Sequence, residues 1–153
     1  MTCEAKILTA ATAAMTVGFV FAAFSHRAVA SSAAYSFTML LRCVNGEKNK
    51  TLHPLDAGSL TISGTIWVTS KVARATAEPD PITIRLYRSS LFNSEICTVT
   101  VTPDRVFNKK TSFTKSCGDV EAGTYFFIVS KPDAIDKLGD GWHIQGSGAL
   151  VTK

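Results

Sequence analysis

The sequence predicts an all-β fold, a single antiparallel β-sandwich of about seven strands, and three observations predict it. Apolar and polar residues alternate with a period of two over several short segments, the pattern of strands with one buried and one wet face. Stretches rich in Gly, Pro, Asn and Asp separate these segments, as turns do in sandwiches. The chain has 153 residues, 46% of them hydrophobic, enough for one domain with a continuous core.

The first element stands apart from the sandwich. Residues 7–24 (ILTAATAAMTVGFVFAAF) carry no charge, follow Lys6 and precede His26-Arg27-Ala28-Val29-Ala30. Ala28 and Ala30 satisfy the A-x-A rule of a secretory cleavage site. Residues 1–30 therefore read as a secretory signal peptide with an apolar helix, and residues 31–153 as the single domain, secreted, periplasmic or extracellular. The apolar stretch is also close to the length of a spanning helix, so the alternative is a retained anchor with the domain outside. Only then does the chain engage a membrane. Arg42, before Cys43, stands where a lipobox needs a small residue.

The strands follow in order. Residues 35–43 place Tyr35, Phe37, Met39, Leu41 and Cys43 on one face, with Ser36, Thr38 and Arg42 on the other. Residues 60–69 turn Leu60, Ile62, Ile66 and Val68 one way and Thr61, Ser63, Thr65 and Thr69 the other. Residues 82–88 bury Ile82, Ile84 and Leu86. Further strands are expected at 96–102, 111–117, 124–130 and 142–152. In 124–130 both faces are apolar, Tyr125, Phe127 and Val129 against Phe126 and Ile128, which marks a central strand.

Removing residues 1–30 leaves Cys43, Cys97 and Cys117, and export favours a disulfide. If residues 96–102 and 111–117 form a hairpin with Thr102 opposite Ser112, Cys97 falls opposite Cys117. Such a bond contributes about 3 kcal/mol by closing a loop of about 20 residues. The register puts Lys115 on the cysteine face, so its stem must run to water or a bulge must shift the pairing. Cys43 is then a buried thiol or pairs with another chain.

Several chemistries are poorly represented. The net charge of +4 falls to +3 once Lys6, Arg27 and Glu4 are removed, and the only local basic excess, Arg105 with Lys109 and Lys110, is too small for a nucleic-acid groove. G-x-S-x-G is absent, and His53 and His143 have no second ligand at metal spacing. Asp133, Asp136 and Asp140 do not follow a calcium-loop spacing. The glycines of residues 139–148 read as turns and a strand bulge rather than a phosphate loop. No catalytic set, metal or cofactor is expected.

Antiparallel connection gathers alternate loops at opposite ends. Residues 71–81, 103–110 and 131–141 share one end; residues 44–58, 89–95 and 118–122 share the other, more acidic end. The first end carries the candidate binding residues Arg105, Phe107, Asn108, Lys109, Lys110 and Trp142, because loops on a rigid sandwich are common recognition sites.

Glu121-x-Gly123-x-Tyr125-x-Phe127 resembles the tyrosine corner of immunoglobulin-like sandwiches, in which a Tyr opens the penultimate strand and bonds back to the chain upstream. The resemblance implies immunoglobulin-like architecture, although Phe127 stands in place of the second cysteine. It also makes Asp119 and Glu121 turn residues. The expected function is non-catalytic binding of a protein or an envelope or extracellular component. The alternatives are a small secreted hydrolase using Asp119, Glu121, Glu95 and Asp56, and an enzyme inhibitor presenting residues 103–110.

Overall fold

A computed structural model describes residues 30–132 and 139–153. The expected signal peptide, apart from Ala30, lies outside the described residues, as do Asp133 and Asp136. Among the described residues no helix is long and apolar enough to cross a membrane.

The regular elements described are nine strands: β1 (Ser31–Met39), β2 (Cys43–Asn45), β3 (His53–Leu55), β4 (Gly58–Lys71), β5 (Ile82–Arg88), β6 (Ser94–Val101), β7 (Thr111–Val120), β8 (Gly123–Ser130) and β9 (Trp142–Thr152). They form two antiparallel sheets, one ordered β1-β9-β4-β7 and the other β2-β8-β5-β6 with β3 also on β8. β2 and β3 share one lane, since Cys43 opposes Ser130 and His53 opposes Tyr125 on the same neighbour. The Gly46 amide, donating to the Phe127 carbonyl at 2.8 Å, keeps the intervening loop on that lane.

Lane neighbours are mostly distant in sequence, because apart from the β5–β6 hairpin each new lane is laid down in the opposite sheet. This interleaving is that of a double-sheet jelly roll. It corrects the immunoglobulin-like expectation, whose sheets are ordered A-B-E-D and C-F-G. Turn spacing reports how many strands there are, not which sheet receives the next one.

The first strand begins earlier than its expected span and stops at Met39, and Cys43 opens β2 in the other sheet. Leu41, expected inside, is exposed in the turn between them. Alternation continued past the point where the chain changed sheets. The core lies between the sheets, with Tyr35, Met39, Ile62, Ile66 and Leu150 facing Ile84, Leu86, Tyr125 and Val129. β8 is central, as its two apolar faces imply: Phe126, on the outer face, is buried beneath the Tyr87 ring, stacked at 5.5 Å. Gly146 and Gly148 lie within β9 rather than in turns. A Cβ on Gly146 would meet the Phe37 ring, and one on Gly148 would meet first the Ser63 carbonyl and then the Tyr35 hydroxyl, so one glycine makes room for an aromatic side chain and the other for the neighbouring backbone.

The expected hairpin of residues 96–102 with 111–117 does not form. β6 pairs with β5 and β7 with β4, at the edges of opposite sheets. Cys97 and Cys117 are nevertheless bonded, with Cα atoms 5.5 Å apart. Packed sheets stand about 10 Å apart, and two irregularities close that distance. The β4–β7 register slips between Leu60 and Thr61, leaving Cys117 unpaired beside Gly118 at φ 77°. The β5–β6 register slips next to Cys97, after Leu86. Bulges bend the two edges, and the bond ties sheet to sheet instead of strand to strand. Lys115 opposes Ile62 on the exposed edge and makes no cross-strand pair with Val99.

Candidate functional site

Contacts gather residues 72–81, 102–110 and 139–141 at one end of the sandwich, as alternate connections lead one to expect, and residues 40–42, read from the sequence as strand, join them. The Pro103-Asp104-Arg105-Val106-Phe107-Asn108 stretch folds on itself first. Asp104 accepts the Val106 amide at 2.9 Å, its own amide donates to Thr111 Oγ1 at 3.2 Å, and the Lys109 amide donates to the Val106 carbonyl at 3.1 Å. The Lys109 ammonium, 2.7 Å from Asp104, and the Val106 amide hold that carboxyl below its usual range. Asn108 takes a left-handed conformation, φ 63°, tolerated by Asn better than by most residues, and its amide reaches the Val68 carbonyl at 2.8 Å.

The loop is then fastened to its neighbours. Arg105 pairs with Glu78 at 2.8 Å, and the Phe107 ring lies 6.1 Å from that of Trp142. Val106 and Phe107 remain about half exposed, Phe107 at 49%. Lys110 extends over the Trp67 ring at 5.3 Å. Arg105, Phe107, Asn108, Lys109 and Lys110 thus belong to one continuous surface. Trp142 does not: at 2% exposure it is a support, its indole donating to the Thr76 carbonyl at 3.0 Å, with Lys71 4.6 Å above its ring. Being the first residue of β9, it turns inward with the strand.

Beneath this surface lies a pair that sequence reasoning missed. The Lys131 ammonium and Asp140 carboxylate sit 2.5 Å apart with both side chains fully buried. Lys131 also donates to the Trp142 carbonyl, and Asp140 accepts the amides of Trp142 at 3.0 Å and Asp80 at 2.7 Å. The Thr76 amide bonds the Asp140 carbonyl and the Val72 amide that of Gly141, both at 2.9 Å. Burial, and after it the Asp140 charge, push the Asp80 carboxyl up, against the pull of Lys131. The available signal was slight: a Lys closing an apolar strand, and an Asp between two glycines.

A second concavity of about 200 Å³ opens at the edge between β1 and the β2–β3 lane, walled by Tyr35, Phe37, Phe127 and His53. Tyr35 donates to the Ser63 carbonyl at 3.0 Å, and its burial raises its hydroxyl well above the usual value. His53 meets the Phe127 ring edge-on at 5.5 Å, and burial lowers its imidazole. Neither had been singled out from the sequence as a site residue. His143, expected on a wet face, is partly exposed and bonds Ser70 at 2.8 Å.

The acidic residues are dispersed. Glu121 pairs with Arg88, Glu95 accepts Tyr87 at 3.1 Å, Asp119 opposes Ser59 in β7, and Asp56 follows β3. The Tyr125 hydroxyl donates to the Glu121 carbonyl at 2.5 Å, so the corner exists as a local device inside a different strand order. Among the described residues no three His, Cys, Asp or Glu side chains are grouped to hold a metal ion.

No protein family matches this chain, and no curated protein does. Among solved structures, it is similar to the infectious bursal disease virus Gt strain structure, with a TM-score of 0.50 and 8% identity over 83% of this chain and 33% of that one. The VP2 subviral particle of the same virus gives 0.47 and 13%, covering 84% and 34%. A Bacillus endospore appendage structure, described as a disulfide-linked pilus, gives 0.35 and 14%, covering 82% and 87%. The chain spans about a third of the viral chains it matches. At 8% identity the likeness to the first of these is one of fold alone.

Proposed function

We propose that this protein is a non-catalytic interaction domain that works outside the cytoplasm and recognises another protein through the end built by residues 102–110 and 72–81. One observation carries the reading: Val106 and Phe107 are exposed at the tip of a loop whose backbone is already bonded at Asp104, Val106, Asn108 and Lys109. Apolar groups held this way lose little freedom on binding, and preorganisation of this kind converts contact into affinity. Arg105 and Lys109 border them already paired with Glu78 and Asp104, so the fitting partner offers an apolar patch with a carboxylate placed to meet Lys110. The Cys97–Cys117 bond suits an oxidising compartment, in keeping with the signal peptide read at residues 1–30.

The test uses residues 31–153 as bait against culture medium and envelope extract, beside Phe107→Ser and Leu91→Ser baits. A stoichiometric partner retained by the native and Leu91→Ser baits but lost with Phe107→Ser supports the reading. Equal capture by all three defeats it.

The rigidity of the same loop favours a second reading, an enzyme inhibitor inserting residues 103–110 into an active site. Inhibition of a captured hydrolase, abolished by Phe107→Ser, would select it.

A further inference from the structure

We propose that Lys131 and Asp140 form an intramolecular amide bond, a covalent cross-link between the end of β8 and the start of β9. The two groups already stand in direct contact. Nζ lies 2.5 Å from Oδ1, and neither side chain is reached by solvent. Contact at this distance in a fixed orientation removes the entropic barrier of a bimolecular encounter. A buried ion pair carries the desolvation cost of both charges; an amide carries neither charge.

The surroundings fit the step. Asp140 Oδ2 accepts the Asp80 amide at 2.7 Å, and Oδ1 accepts the Trp142 amide at 3.0 Å. When Nζ adds to Cγ, a preorganised backbone donor therefore faces the oxygen on which negative charge develops. The Lys131 ammonium touches Oδ1 directly, so its proton passes to the oxygen that leaves without a third group between them.

The balance is that of a condensation. The Nζ–Cγ bond forms and the Cγ–Oδ1 bond breaks. Of the three protons on the ammonium, one stays on the amide nitrogen and two leave with Oδ1 as water. The first passes from Nζ to Oδ1 before Nζ adds to Cγ, and the second follows as the Cγ–Oδ1 bond breaks. Nothing is oxidised or reduced. The bond joins the last residue before the connection to a residue just ahead of β9, so the two sheets gain a covalent tie at this end, separate from the Cys97–Cys117 bond near the other.

The test is mass spectrometry of the full chain as secreted, after denaturation, reduction and alkylation. The expected mass is one water below that calculated for the residues the secreted chain contains. After trypsin, residues 116–137 and 138–153 are expected to remain joined despite cleavage after Lys137. Asp140→Ala should restore the full mass and separate the peptides. A folded native chain of full mass with separate peptides overturns the cross-link. So does loss of water with the peptides separate, since cyclisation at Asp140-Gly141 gives that result.

Discussion

The two ends of the sandwich are held by different chemistry. At the end bearing residues 102–110, the closure is a polar cluster in which the buried Lys131 and Asp140 satisfy each other and bond the Trp142 and Asp80 backbones. Toward the opposite end the closure is the Cys97–Cys117 bond between bulged edges, backed by Tyr125 and Arg88, which both hold residue Glu121. Exposed apolar residues occur at both. Val106 and Phe107 rest on buried support, whereas Leu91, 79% exposed, and Phe92 cap a hairpin fastened by surface bonds such as Ser90 Oγ to the Phe92 carbonyl at 2.6 Å. Exposure alone therefore does not identify a recognition surface; what lies beneath it does.

Each closure can be broken separately. The largest effect is expected for Lys131→Met, which strands the Asp140 carboxylate in the interior and should cost about 4 kcal/mol in denaturant unfolding. Adding Asp140→Leu should recover part of that loss, because no buried charge then remains; a double variant as unstable as the single one would contradict the account. Next comes the other end. Replacing Cys97 and Cys117 together by Ser should cost about 3 kcal/mol, and reducing agent should lower the native melting temperature while leaving that variant unchanged. Tyr125→Phe, which removes the bond to Glu121, should cost about 1 kcal/mol, an intermediate loss measurable by the same unfolding curves.

The smallest effect is a pH dependence at the open edge. Burial holds the His53 imidazole below its ordinary value of 6.5. The unfolded chain then binds a proton that the folded chain does not, so stability is full above the ordinary value and declines as pH falls beneath it. Unfolding measured on the acid side of neutrality should show this slope in the native chain and a shallower one in His53→Gln. Identical slopes would remove His53 as the cause.

Much of the framework was legible because it rests on periodicity. β4, β5, β8 and β9 carry the alternation or the two-sided apolarity that sets their place, and the Glu121 to Tyr125 corner appears where its pattern lies. The short β3 was missed because His53-Pro54-Leu55 gives no alternation to read, and its pairing with β8 is set by tertiary context. The disulfide partners were correctly named from a wrong hairpin: three cysteines leave few pairings, while the bulges that bring Cys117 to Cys97 have no simple sequence mark. Trp142 was named among the binding residues because the loops of that end approach it, and the strand it begins turns it inward as packing. Lys131 and Asp140 stayed hidden because a charged residue reads as solvated until its partner is found in space.

The most direct test of the recognition surface is quantitative capture by three forms of residues 31–153. Relative to the native bait, Phe107→Ser is expected to lower affinity for the captured partner by at least about tenfold, while Leu91→Ser leaves it unchanged. Loss of binding with Leu91→Ser and retention with Phe107→Ser would move recognition to the other end and contradict the account.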